Sequence, residues 1–106
     1  MNKIPIPKSI QLHGETISIE YRTDMIHERG CDGEAAYNEE CIRIQKTKAN
    51  GKPQEDFYLE KIFLHELVHF ILNQMSEGDL KRNEKFVEVF SGLLHQAFKN
   101  AEYEKE

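Results

Sequence analysis

The stretch Phe63-Leu64-His65-Glu66-Leu67-Val68-His69-Phe70 sets the organisation of the chain, because H-E-x-x-H lies there inside an apolar run from Phe57 to Met75. Wound as an α-helix, it places His65 and His69 one turn apart on one face, so two imidazoles can meet one metal ion. Glu66 stands beside His65, which brings its carboxylate next to that ion without making it a necessary ligand. Zinc hydrolysis asks for this combination of two neutral nitrogen ligands and a base within reach of an activated water.

Outward from the motif, Asp56 is the expected N-cap of this helix, which should continue to about Met75 and stop near Gly78. Leu59, Ile62, Phe63, Val68, Phe70 and Ile71 surround the motif with apolar side chains, so the helix is expected to be largely buried. A second helix should begin between Asp79 and Asn83 and end near Ala101, with Glu102 to Glu106 solvated. Its apolar residues, Phe86, Val87, Val89, Phe90, Leu93, Leu94, Ala97 and Phe98, cover a wide face. Through them runs one polar stripe of Glu84, Glu88, Ser91 and His95, spaced i, i+4, i+7 and i+11. Two histidines do not complete a catalytic zinc site, and the early part of this stripe is where a third ligand would come from.

Asn83-Glu84-Lys85-Phe86-Val87-Glu88 resembles the thermolysin-like pattern N-E-x-x-x-D, in which the Glu ligates zinc and the acid one turn later braces the first motif histidine. The resemblance makes Glu84 the third ligand and Glu88 the acceptor for the free N–H of His65, which would fix that ring's tautomer and orientation. Glu88 stands where the pattern has Asp, and its longer side chain leaves open the swap in which Glu88 ligates instead; spacing favours Glu84. The whole chain is similar to the small zincin-like metallopeptidases of phages and prophages related to the ImmA/IrrE group, through a strand-rich first half, the HELVH helix and a following E-x-x-x-E-x-F helix. That likeness implies a zinc-dependent peptidase acting on a peptide or protein, with His65, His69 and Glu84 on Zn2+ and Glu66 as general base. It also implies a substrate lying along a sheet edge, for which Cys41 to Gln45 is the nearest candidate.

Other zinc classes fit less well. A metzincin would carry Gly and His where Leu72 and Met75 stand. An all-histidine site would need His95, about 16 Å beyond Glu84 along the helix. His95 is expected to be exposed or hydrogen-bonded, His13 and His27 to be surface or turn residues, and Tyr37 and Tyr58 to be packing residues. Cys31 as an inhibitory thiolate on the metal is a minor alternative. A competing expectation from a different class is a metal-stabilised, non-catalytic binding or regulatory module of a mobile element.

Earlier in the chain, Ile10 to Leu12 and Ile17 to Tyr21 alternate apolar with polar, and the parity flips across His13-Gly14-Glu15-Thr16, so a strand pair joined by a tight turn is expected. Pro5 and Pro7 make the preceding residues an extended lead-in. Asp24 to Glu28 is too short for a stable helix of its own, and Gly30 and Gly33 mark connection. Ala35 to Tyr37 and Cys41 to Gln45 read as a second strand pair about Asn38-Glu39-Glu40, followed by a surface loop from Thr47 to Gln54. The fold class is therefore α+β, a small antiparallel or mixed sheet followed by two packed helices.

With 106 residues and 39% hydrophobic content, the chain suffices for one compact core and is expected to be a single domain. Its formal charge of −5, from 19 acidic and 14 basic residues, and the lack of a Lys/Arg cluster argue against nucleic acid as a ligand. No signal-like or membrane-length apolar run occurs, so a cytoplasmic protein without membrane partners is expected. In that compartment Cys31 and Cys41 should be reduced, with a disulfide across a hairpin as the alternative.

Overall fold

The structure, a computed structural model, describes residues 1–25 and 31–104. Strands β1 (Ser9–Leu12), β2 (Glu15–Arg22), β3 (Gly33–Ala36) and β4 (Cys41–Gln45) form one mixed sheet in the order β1-β2-β4-β3. Helices α1 (Asp56–Gln74), α2 (Gly78–Lys81) and α3 (Glu84–Lys99) follow. The fold is α+β, as the patterning implies.

β1 and β2 make the expected hairpin, with Leu12 opposite Glu15. Its turn is His13-Gly14, and both residues have positive φ (51° and 79°), as the type I′ turn that matches strand twist requires. β4 runs parallel to β2 and antiparallel to β3, so it lies inside the sheet. The expectation that Cys41 to Gln45 offers an edge is corrected by this order: both sides of β4 are paired, and among the described residues the outer strands are β1 and β3. Tyr37 also departs from its expected strand, since Tyr37–Glu39 form a 3-10 turn closed by Glu40 at a φ of 52°.

Ile17 and Ile19 of β2 and Ile42 and Ile44 of β4 point to one side and pack against Ile62, Phe63 and Phe70 of α1. Each such burial contributes about 1.5–3 kcal/mol. Val68 and Leu72 point the other way and pack with Val87 of α3. α1 is thus enclosed on two sides, which explains an apolar sequence with little amphipathic contrast.

The helix ends differ from expectation by small steps. Glu55 rather than Asp56 is the N-cap of α1, and it makes no side-chain capping bond. Its C-terminus closes on Ser76 at a φ of 59°, with Ser76 N–H donating to Asn73 O (3.1 Å) and Glu77 N–H to Leu72 O (3.0 Å). This is a Schellman closure with serine where glycine is usual, so Gly78 instead starts α2. α3 opens at Asn83, whose side chain accepts from the Phe86 N–H at 3.0 Å.

The proline-bearing lead-in has a defined anchor. Asn2 donates its side-chain amide to Phe98 O (3.0 Å) and Ala101 O (2.8 Å), while Ile4 N–H donates to Glu60 Oε2 (3.1 Å). Cys31 and Cys41 are not bridged. The connection expected around His27 and Gly30 lies outside the described residues, although Met25 before it is buried and donates its N–H to Gln45 Oε1 at 2.9 Å.

Candidate metal centre

The helical repeat of α1 puts the His65 and His69 rings side by side, centroids 5.0 Å apart. α3 lies across them because Val87 inserts between Val68 and Leu72, and that packing fixes which of its faces meets the imidazoles. Glu84, in the first turn of α3, places one carboxylate oxygen 3.2 Å from His65 Nε2 and the other 3.1 Å from His69 Nε2. Glu88, one turn on, approaches the opposite edge of the His65 ring, with Oε2 2.9 Å from Nδ1. The two acids therefore occupy different sides of one imidazole, and the swap of roles left open by their spacing does not match this geometry.

His65, His69 and Glu84 each offer a ligand atom within 4.8 Å of the others, a group that could hold a metal ion. The donor chemistry favours one. If His65 Nδ1–H donates to Glu88, a neutral ring has only a lone pair at Nε2, facing a carboxylate that is also an acceptor. A cation between them removes the conflict. His69 Nδ1 is buried and makes no hydrogen bond of ordinary geometry, although the Lys81 backbone favours its protonated form. Burial is the larger influence and lowers the His69 pKa, keeping the ring neutral as a ligand must be.

No protein-family model, curated protein or solved structure matches this chain. What bears on its chemistry is the placement of its own side chains.

Glu66 is buried under the start of β3. A Cβ added at Gly33 would lie 2.7 Å from Glu66 Oε2 and 2.6 Å from Ile62 Cγ2, so only glycine lets the strand pass this close. Gly33 thus serves close packing rather than mere connection. Burial pushes the Glu66 carboxyl up to about 7; the Glu84 and Glu34 carboxylates add to the shift and His65 opposes it. The cavity holding Glu66, both histidines and Glu84 is lined by further acids, Asp32 and Glu34, and, among the described residues, by no Lys or Arg.

Tyr37 is more than the packing residue expected. Its ring meets Phe70 edge-on at 5.1 Å, and it also lines the cavity of His65, Glu66, His69 and Glu84. Burial, then Glu66 and Glu84, push its phenol up to about 12, so it remains a hydrogen-bond donor at neutral pH. Tyr58 is exposed and donates its hydroxyl to Asp32 Oδ2 at 2.5 Å, at the mouth of an adjoining cleft between α1 and α3. Tyr37 stands alone in a strand-turn segment, which carries no periodic signal, and Tyr58 takes its partner from Asp32, distant along the chain, so neither role is legible in the sequence.

His95 is buried and belongs to a separate cluster. Its Nε2 lies 3.0 Å from Glu60 Oε1, and Lys99 Nζ donates to both Glu60 oxygens at 2.8 and 3.0 Å. Burial opposes ionisation of Glu60, but the Lys99, His95 and Ile4 hydrogen bonds outweigh it and hold the carboxyl below its usual range. His13 sits exposed in the hairpin turn, away from this chemistry.

Proposed function

We propose that this chain is a zinc-dependent peptidase whose ion is held by His65, His69 and Glu84. The observation that carries the proposal is the division of labour between two acids one turn apart, Glu84 on both Nε2 atoms and Glu88 on Nδ1 of His65. A zinc ion there supplies Lewis acidity, lowering the pKa of water towards neutrality and polarising a carbonyl. Glu66 Oε2 takes a proton from the attacking water and delivers it to the leaving amine, work suited to a carboxyl poised near neutrality. Glu88 holds the His65 ring in the tautomer that leaves Nε2 free. Tyr37 offers its hydroxyl to developing negative charge on the carbonyl oxygen. An extended peptide pairs with the open edge of β3, which begins directly over Glu66.

The test is purified protein assayed for metal content and for cleavage of a peptide library, with and without a chelator. Zinc-dependent cleavage that Glu66→Gln abolishes while zinc is retained is the expected outcome. Cleavage persisting in that variant refutes the role of Glu66, and unchanged zinc in Glu84→Ala refutes the ligand set.

A second reading, a metal-stabilised binding module, draws support from the way the same three ligands tie α1 to α3. Chelation that unfolds the chain while no peptide is ever cut would favour it.

A further inference from the structure

α3 turns part of its polar stripe inward and leaves part of its apolar surface outside. At about 100° per residue, Glu84, Glu88, Ser91, His95 and Lys99 fall on one side of the helix, and Phe86, Val89, Phe90, Leu93 and Ala97 fall within about 100° on the opposite side. The first set faces α1: Ser91, His95 and Lys99 are buried, and Glu84 and Glu88 meet His65 and His69. Of the second set, Val89, Phe90 and Leu93 face outward, 53%, 46% and 61% exposed, while Phe86 is half-buried against the cluster of Val68, Leu72 and Val87. Phe86 and Phe90 stack with centroids 5.6 Å apart, and they border a shallow groove with Val89, Leu93 and Lys85. A helix whose Ser91, His95 and Lys99 are buried while Val89, Phe90 and Leu93 stand together in solvent carries an unpartnered apolar face.

We propose that this face pairs with the same face of a second copy, the two α3 helices antiparallel about a twofold axis near Leu93. Such an axis sets Leu93 against its own counterpart and seats Val89 over the small Ala97. It also brings exposed Lys85, and Arg82 that bonds Asp79 at 2.9 Å, beside the segment that follows α3 in the other copy, where Glu102 and Glu104 are exposed. A parallel arrangement would set like charges together at both ends. The apolar side chains together with the stems of Lys85 and Gln96 offer roughly 500–600 Å² per copy, about 1,000–1,200 Å² for the pair, which reaches the size of a specific interface. The pairing is independent of the hydrolytic proposal, since none of the outward residues belongs to the metal centre.

The experiment is sedimentation velocity of the full chain from micromolar to hundreds of micromolar concentration. Concentration-dependent dimer is expected, with Leu93→Glu and Val89→Lys each raising the dissociation constant about tenfold or more. Both positions are more than half exposed, so unchanged circular dichroism and melting temperature should show the variants folded. Lys85→Glu and Glu102→Lys should each weaken the dimer, and the two combined should restore it. A wild-type chain that stays monomeric throughout, whatever else might cover the face, overturns the proposal, as does a dimer indifferent to Leu93→Glu. Failure of the double charge swap to restore pairing overturns the antiparallel arrangement.

Discussion

Replacing Glu66 by Gln should stabilise the metal-free protein at alkaline pH and leave it nearly unchanged in acid. Burial is the main reason the Glu66 carboxyl rises from 4.5 to about 7. A carboxyl raised by folding binds its proton more tightly in the folded chain. Its contribution is therefore fully present below about pH 4.5 and is lost as pH rises through about 7. A displacement of about 2.5 units corresponds to about 3 kcal/mol, all of it missing above about pH 8. Glutamine is uncharged throughout and nearly isosteric, so it removes this dependence. His69, lowered chiefly by burial, contributes with the opposite sign, losing stability as pH falls through its folded value. That term is common to both proteins and largely cancels in their difference. Urea unfolding of chelator-treated wild type and Glu66→Gln, followed by far-ultraviolet circular dichroism between about pH 4.5 and 8.5, measures the difference directly. It should grow with pH by about 3 kcal/mol in favour of the variant. A difference independent of pH, or a wild type more stable at the alkaline end, would refute the buried, proton-retaining carboxyl.

Two glycines should respond to alanine with opposite signs. Gly33→Ala forces a Cβ to 2.6 Å from Ile62 and should cost about 1–3 kcal/mol, whereas Gly92→Ala, mid-helix with nothing within 4 Å, should gain about 0.5–1 kcal/mol; equal effects in thermal melts would contradict the packing of β3 over α1. Glu60→Ala strands a buried ammonium and imidazole and should cost about 3–5 kcal/mol, so a loss below about 1 kcal/mol in urea titration would show the cluster to be incidental. Ser76→Gly relieves a left-handed residue in the α1 closure and should raise stability by about 0.5–1 kcal/mol, with no gain in melting temperature counting against that closure.

The features legible in the sequence are those with a period. H-E-x-x-H and the stripe from Glu84 to His95 are helical repeats, and two such repeats on helices joined by a short connection leave few ways to meet. The alternation in β1 and β2 fixed the hairpin for the same reason. Sheet order carries no periodic trace: β3 and β4 form an antiparallel pair either way, and whether β4 turns inward to β2 depends on which side of the sheet the connection after Arg22 takes. The edge was accordingly misplaced onto Cys41 to Gln45. Glu60 was equally hidden, because an acid in an apolar run reads as solvated until its partners, here from α3 and the lead-in, are known. On α3 the apolar residues were visible, but a period does not state which stripe faces in.

That inversion links the two ion clusters. The inward stripe of α3 has two ends of different charge balance. At the end nearest Asn100, the Glu60 carboxylate is met by the Lys99 ammonium at 2.8 Å and by His95, so the chain itself neutralises the buried charge. At the end nearest Asn83, Glu84 and Glu88 meet imidazoles and Glu66 lies buried beside them; among the described residues no lysine or arginine lines the cavity of Glu66 and Glu84, while Lys61 lines the adjoining cleft with Glu88. Neutral imidazoles bring no charge of their own, so this end of the stripe is richer in acid than the end at Glu60. One helix face thus carries a closed ion pair at one turn and, three turns earlier, the group His65, His69 and Glu84 that could hold a metal ion.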